Sequence, residues 1–165
     1  MFVEPIALYM TRDLHAEGDG LWTTPYEAPG ENPLRIGEIG VHGGGTDLAI
    51  VSYGNGYYYS RQAEKLLAEQ GVKARVIDLR WLAPLAVDAL LDAVAPCGRV
   101  LIVDECRVTG SQSEALMALF AERAPNKPVA RIAADDSFIS LARAATYTLP
   151  SRDSIVAAAL SLLTR

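Results

Sequence analysis

Leu48-Ala49-Ile50-Val51-Ser52-Tyr53 and Ala74-Arg75-Val76-Ile77-Asp78-Leu79 are two short runs rich in branched apolar residues, and between them Ser60 to Gln70 carries a helical pattern closed by Gly71. A strand, a crossover helix and a second strand form the unit from which parallel sheets are built. The alternation continues along the chain. Val100-Leu101-Ile102-Val103 and Val129-Ala130-Arg131-Ile132 read as further strands, with helices at Val87 to Ala95, stopped by Pro96, and at Ser111 to Arg123, stopped by Pro125. Three of the four strands have the unbroken apolar character of strands covered on both faces. From residue 35 onward the pattern predicts an α/β layer fold.

Within Ser111 to Arg123, Ala115, Leu116, Leu119 and Phe120 share one face, and Ser111 stands three residues before Glu114, the spacing of a capping box. Ser151-Arg152-Asp153-Ser154 opens a last helix, with Ser151 or Asp153 as its cap and Ile155, Val156, Ala159, Leu160 and Leu163 on its apolar side. Arg35 to Val41 is a weaker strand, suited to an antiparallel sheet edge before the Gly43-Gly44-Gly45 turn. Upstream, Pro5, Pro25, Pro29 and Pro33 fall among the first 34 residues, interleaved with Gly18, Gly20 and Gly30. Asp13 to Pro33 therefore reads as an extended loop or linker wrapped over a neighbouring surface. The organisation expected is residues 1–34 as the end of a preceding domain plus linker, then one domain over 35–165.

The whole chain, 165 residues, is 50% hydrophobic and 21% charged, the balance of a globular protein. Fifteen basic against twenty acidic residues give a net charge of −5, which repels phosphate backbones and argues against nucleic acid as a partner. No apolar run reaches the ~18 residues that span a bilayer, and the start has no signal-peptide pattern, so a cytoplasmic protein without membrane contact is expected. Cys97 and Cys106 have neither a zinc nor a disulfide spacing.

His15 and His42 are read as surface-loop residues, since neither stands at metal-ligand spacing from Cys, Asp or Glu. Gly43-Gly44-Gly45 and Gly54-Asn55-Gly56 lack the lysine of a Walker loop and the third glycine of a dinucleotide fingerprint, so tight turns are the stronger reading than a phosphate cradle. Tyr57-Tyr58-Tyr59 cannot all face one core, which points at least one of them to a partner. Asp104-Glu105 and Arg80-Trp81 follow strands, at the end where open α/β sheets bind ligands. With no nucleophile or metal motif beside them, an ion pair or interface cluster is favoured over acid–base chemistry. The candidate interface is thus Tyr57, Tyr58, Tyr59, Arg80, Trp81, Asp104 and Glu105, with no catalytic, cofactor or metal residue.

Val76-Ile77-Asp78-Leu79-Arg80-Trp81-Leu82-Ala83-Pro84-Leu85 resembles a segment in the carboxyl-terminal domain of thiamine-diphosphate-dependent 2-oxo acid dehydrogenases. Gly45-Thr46-Asp47-Leu48, Tyr53-Gly54, Val103-Asp104-Glu105, Thr109-Gly110 and Asp136-Ser137-Phe138-Ile139 agree with it in order, and Phe2-Val3-Glu4-Pro5 is similar to the end of a preceding pyrimidine-binding domain. Ser111-Gln112-Ser113 departs from it, since the family often has more glycine there. The resemblance implies a β-subunit, or the β-like part of a fused chain, with a transketolase carboxyl-terminal-like domain. That domain would have three α/β/α layers on a mostly parallel five-stranded sheet with one antiparallel edge strand. It further implies a domain that supports a dimer and docks the dihydrolipoyl acyltransferase. Thiamine diphosphate and Mg2+ would be bound by the other domains or subunits of a pyruvate or branched-chain dehydrogenase, and the fragment alone would be inactive. An independent protein-interaction module is the alternative, with a small nucleotide- or flavin-binding domain behind it.

Overall fold

The computed structural model describes residues 1–28, 30–140 and 142–164, so Pro29 of the proline-rich segment lies outside the described residues. Five strands form one sheet: β1 (Gly40–His42), β2 (Leu48–Ser52), β3 (Ala74–Asp78), β4 (Arg99–Arg107) and β5 (Val129–Ala134). Four helices, α1 (Gly54–Glu69), α2 (Val87–Val94), α3 (Gln112–Arg123) and α4 (Arg152–Leu163), follow β2, β3, β4 and β5 respectively. The sheet order is β1-β3-β2-β4-β5, with every pairing parallel except β1 against β3. The weak strand expected over 35–41 is therefore real but short, and it closes the edge as an antiparallel strand.

Alternation along the strands makes the three layers. In β2, Leu48 and Ile50 point to one face, where they meet Ala63 and Leu67 of α1 and Ile155, Ala159 and Leu162 of α4. Ala49 and Val51 point to the other, against Leu90 and Val94 of α2 and Leu116 and Phe120 of α3. All five β2 residues are buried, since the strand has a neighbour on each side and helices above and below. Fully burying an aliphatic side chain contributes roughly 1.5–3 kcal/mol, so this central ladder contributes several kcal/mol to stability.

The helix ends show where sequence and structure part. α1 starts at Gly54 rather than Ser60, because Gly54, Asn55 and Gly56 propagate a helix poorly and hide its first turn. Tertiary fit overrides that propensity: a Cβ on Gly56 would collide with Ser52 Oγ, so only glycine lets the helix rest on the end of β2. Its far end is as expected, with Gly71 N–H bonded to Ala68 O and Val72 N–H to Leu67 O, each at 3.0 Å. The capping box expected at Ser111 is absent. Its hydroxyl pairs with Ser113 Oγ at 2.7 Å, Glu114 accepts from Gly110 N–H at 2.7 Å, and Asp104 takes the Ser113 N–H at 2.8 Å. A buried carboxylate is the stronger acceptor and displaces the hydroxyl from the cap. At α4 the box does form, with Ser151 and Ser154 exchanging side-chain and backbone bonds at 2.8 and 3.1 Å.

Residues 13–22, which read as an extended connection, have a structure of their own. The Asp13 carboxylate accepts from the N–H groups of Gly18 and Gly20, and Asp19 accepts from those of Leu14, His15, Ala16 and Leu21, at 2.7–3.0 Å. This small loop inserts Leu14, 2% exposed, beside α1. Gln62 Nε2 donates to Leu14 O at 2.6 Å and the Tyr58 hydroxyl to Asp13 O at 2.9 Å. The surface it wraps is that of this same chain.

Candidate functional site

The chain leaves β2 in one direction, toward β3, and later returns on its other side as β4. That reversal places a topological switch point between β2 and β4, where open α/β sheets hold ligands outside the carboxyl ends of their strands. Two connections meet there: Tyr53, which joins β2 to α1, and Val108–Ser111, which joins β4 to α3.

Asp104, expected at an interface, is instead 1% exposed, as the last buried residue of β4. Its Oδ1 accepts from the Tyr53 hydroxyl at 2.7 Å and Cys106 N–H at 2.9 Å, and its Oδ2 from Ser113 N–H at 2.8 Å. Neither an ion pair nor a docking group, it ties β2, β4 and the first turn of α3 together. Burial, and then the hydrogen bond to Asp104, push the Tyr53 hydroxyl far above its usual range, which keeps it a protonated donor. It also lies 3.6 Å from the exposed Cys106 Sγ.

Glu105 turns the other way, to the N-terminus of α1. A Cβ built on Gly54 would lie 2.9 Å from its Oε1 and 3.4 Å from Pro5 Cγ. Burial pushes the Glu105 carboxyl up, opposed by hydrogen bonds from the Asn55 side chain and backbone. The positive helix end that could receive a phosphate thus already holds a carboxylate, roofed by Pro5. This cradle does not fit the diphosphate of a nucleotide, flavin or thiamine cofactor. Among the described residues no three His, Cys, Asp or Glu side chains are grouped to hold a metal ion. Surface depressions lie instead at the amino end of the sheet, around Gly44 and Lys73 and around Cys97 and Lys127.

The other sequence candidates separate. Tyr57 and Tyr58 face Trp22, with ring centroids 5.8 and 4.8 Å apart, while Tyr59 is partly exposed. Arg61 Nη1 donates to the Tyr57 hydroxyl at 3.2 Å. Trp81 is half-buried and Arg80 lies beyond the end of β3, with Nε 3.5 Å from Asp78 Oδ2. Burial pushes the Asp78 carboxyl up while Arg80 opposes it. His42 is on β1 rather than in a loop, 3.4 Å from Glu64; burial lowers its pKa, with Arg61 adding to that and Glu64 opposing. Cys97 is buried, and burial pushes its thiol up.

Exposed apolar side chains gather at the same carboxyl end. Phe2 and Ile6 flank Pro5, Ile36 precedes β1, Leu82 follows β3, Val108 follows β4, and Phe138 and Ile139 follow β5. β1 belongs to this end because it runs antiparallel and its first residue, Gly40, pairs with Asp78 at the end of β3. Ile36 is 72% and Phe138 98% exposed. Sequence reasoning missed this gathering, because it joins residues from five separate loops. It also missed Leu14 and Trp22, whose one signal was the Asp13…Gly18-Asp19-Gly20 spacing of a carboxylate-centred turn.

Residues 37–155 match the family model described as "Transketolase, C-terminal domain". The pyruvate dehydrogenase E1 component subunit beta of Bacillus subtilis (strain 168) is 30% identical over 136 residues, covering 81% of this chain and 42% of the relative. That of Staphylococcus epidermidis is 32% identical over the same length and coverage. This chain therefore spans about two fifths of the length of the curated relatives it matches. Among solved structures, a split-gene transketolase described as an inactive beta4 tetramer aligns with TM-score 0.70 and 27% identity, over 79% of this chain and 44% of that one. A 2-oxoglutarate:ferredoxin oxidoreductase from Magnetococcus marinus, at TM-score 0.56 and 20% identity over 76% of this chain and 20% of that one, shares the fold. The match over 37–155, on a three-layer fold with one antiparallel edge, establishes that the chain belongs to the transketolase C-terminal domain family.

Proposed function

We propose that this chain is the carboxyl-terminal assembly domain of the decarboxylating component of a 2-oxo acid dehydrogenase, acting on pyruvate or a branched-chain 2-oxo acid. Residues 35–165 form the domain, and residues 1–34 connect it to what precedes it. It supports dimerisation and docks the dihydrolipoyl acyltransferase, in the cytoplasm. Thiamine diphosphate and Mg2+ are held by the rest of the enzyme, where the cofactor supplies the carbanion chemistry of decarboxylation. The observation that carries this reading is the state of the switch point: its helix end is closed by Glu105 and Pro5, and the surface around it is apolar. Such an end suits burial against protein better than capture of a small polar ligand. The similarity to pyruvate dehydrogenase E1 beta subunits supplies the enzyme class.

The test is turnover by parts. Incubated alone with thiamine diphosphate, Mg2+ and pyruvate or a branched-chain 2-oxo acid, the chain releases no carbon dioxide. Release appears once the remaining part of the dehydrogenase is supplied. Decarboxylation by the chain alone overturns the assignment.

A further inference from the structure

Arg80 combines three features that simple solvation of a surface arginine does not require. Its backbone is left-handed, with φ at +53°, a conformation disfavoured for any residue with a Cβ. Its guanidinium lies against Gly40, where a Cβ would come within 2.8 Å of Nη2 and 3.0 Å of Cζ and Nε. Asp78 then holds it at the near side, taking the Arg80 N–H on Oδ1 at 3.3 Å and standing 3.5 Å from Nε through Oδ2. Among the described residues no acceptor makes a hydrogen bond to Nη1 or Nη2. The side chain is 33% exposed, with half-buried Trp81 and exposed Leu82 next in sequence.

We propose that Arg80 is a preorganised anchor of the assembly face, whose two terminal nitrogens take an acidic side chain of the polypeptide that covers the carboxyl end of the sheet. The inference rests on the functional reading above and names the chemistry of its contact. An arginine fork matches a carboxylate with two parallel bonds, and here Gly40 and Asp78 have already removed much of the side-chain freedom that binding would otherwise cost. Arginine is among the residue types that carry a large share of affinity when an interface buries them. Charge selects the partner: a guanidinium with unused donors is complementary to a carboxylate.

The experiment compares the parent chain with R80G and R80K, each alone and assembled with the rest of the dehydrogenase. R80G removes the guanidinium and its contact with Asp78 but relieves the left-handed backbone, so the two effects offset and the melting temperature of the isolated chain changes little. Dissociation of the assembly becomes about tenfold or more easier, as for loss of a close interfacial charge pair. R80K retains the charge without the fork and recovers part of that loss. An R80G assembly as tight as the parent overturns the anchor, as does a fall in the isolated chain's melting temperature matching the loss of assembly. Stabilisation of the parent assembly by inorganic phosphate, abolished in R80G, also overturns it, since the guanidinium would then hold a free anion. A parent chain that does not assemble at all refutes the functional reading and the anchor with it, whereas a parent that assembles beside an unaffected R80G refutes the anchor alone.

Discussion

Asp104→Asn perturbs the centre of the switch point while preserving its shape. The native carboxylate accepts three bonds, two on Oδ1 from Tyr53 and Cys106 and one on Oδ2 from Ser113 N–H. The amide does best by keeping its oxygen at the Oδ1 position, which turns its NH2 toward the Ser113 N–H. Two donors then face each other at the start of α3, in a place without water access to Asp104. Leaving one buried donor unsatisfied costs about 1–3 kcal/mol, and losing a negative charge at a helix N-terminus adds about 0.3–1 kcal/mol. A total near 3 kcal/mol corresponds to a melting temperature lower by about 6–12 °C for a domain of this size. Urea and thermal unfolding followed by circular dichroism measure both quantities, and Tyr53→Phe, which removes one donor, should cost about 1 kcal/mol on its own. Because the two side chains share a hydrogen bond, the double variant should be less destabilised than the sum of the singles. An Asp104→Asn chain within about 0.5 kcal/mol of the parent, the range of a bland surface change, would refute this view of Asp104.

Four further outcomes are specific to other parts of the chain. Lys127→Met removes an ammonium that donates to Val94 O, Ala95 O and Cys97 O at 3.2, 3.0 and 2.6 Å, and should cost about 1–3 kcal/mol in urea unfolding by freeing the carbonyls at the end of α2. Burial raises the Glu105 pKa, so the fold favours its protonated form, and its contribution is greatest below the usual value of 4.5 and declines as pH rises through the folded pKa. Glu105→Gln should then be at least as stable as the parent at pH 7, with the difference closing in acid; a pH-independent gap would contradict the assigned cause. Asp19 is held well below its usual 3.8 by the N–H groups of Leu21, Leu14, Ala16 and His15, so its support for the 13–22 loop is complete above that value and lost as pH falls further. In a Trp81→Phe background, Trp22 emission should shift to the red in that acid range, and Asp19→Asn should show the shifted spectrum at neutral pH. A double-mutant cycle of Trp22→Ala with Tyr58→Ala should return a coupling of about 0.5–1.5 kcal/mol, the range for an edge-on aromatic pair, and strict additivity would mean that the loop does not dock in solution.

How far the sequence carried depended on the range of the interactions involved. Strands β2 to β5 and the ends of α2 and α3 at Pro96 and Pro125 were legible, because a branched apolar run or a proline acts on its immediate neighbours. The resemblance carried by Val76 to Leu85 added the layer order, while the antiparallel edge was already suggested by the weak strand at Arg35 to Val41. The start of α1 was not legible: Gly54-Asn55-Gly56 reads as a turn until Ser52 is seen beneath Gly56. The cap of α3 was hidden for the same reason, since it comes from Asp104, nine residues earlier on β4. In the candidate set, Asp104 and Glu105 were correctly placed at the carboxyl end of a strand, but their neighbours in sequence do not show that one is sealed inside and the other fills a helix end. Tyr57 and Tyr58 do have an aromatic partner, and it is Trp22 of this chain, some 35 residues upstream.

Amide hydrogen exchange on the chain alone and within the assembled dehydrogenase addresses the assembly role most directly. Protection gained on assembly should appear at the carboxyl end of the sheet, over residues 2–6, 34–40, 80–82, 106–109 and 136–139. The amino end, over residues 43–45, 71–73 and 124–127, should exchange alike in both states. Protection confined to the amino end, or none at either end, would contradict the assignment of the carboxyl end as the assembly face.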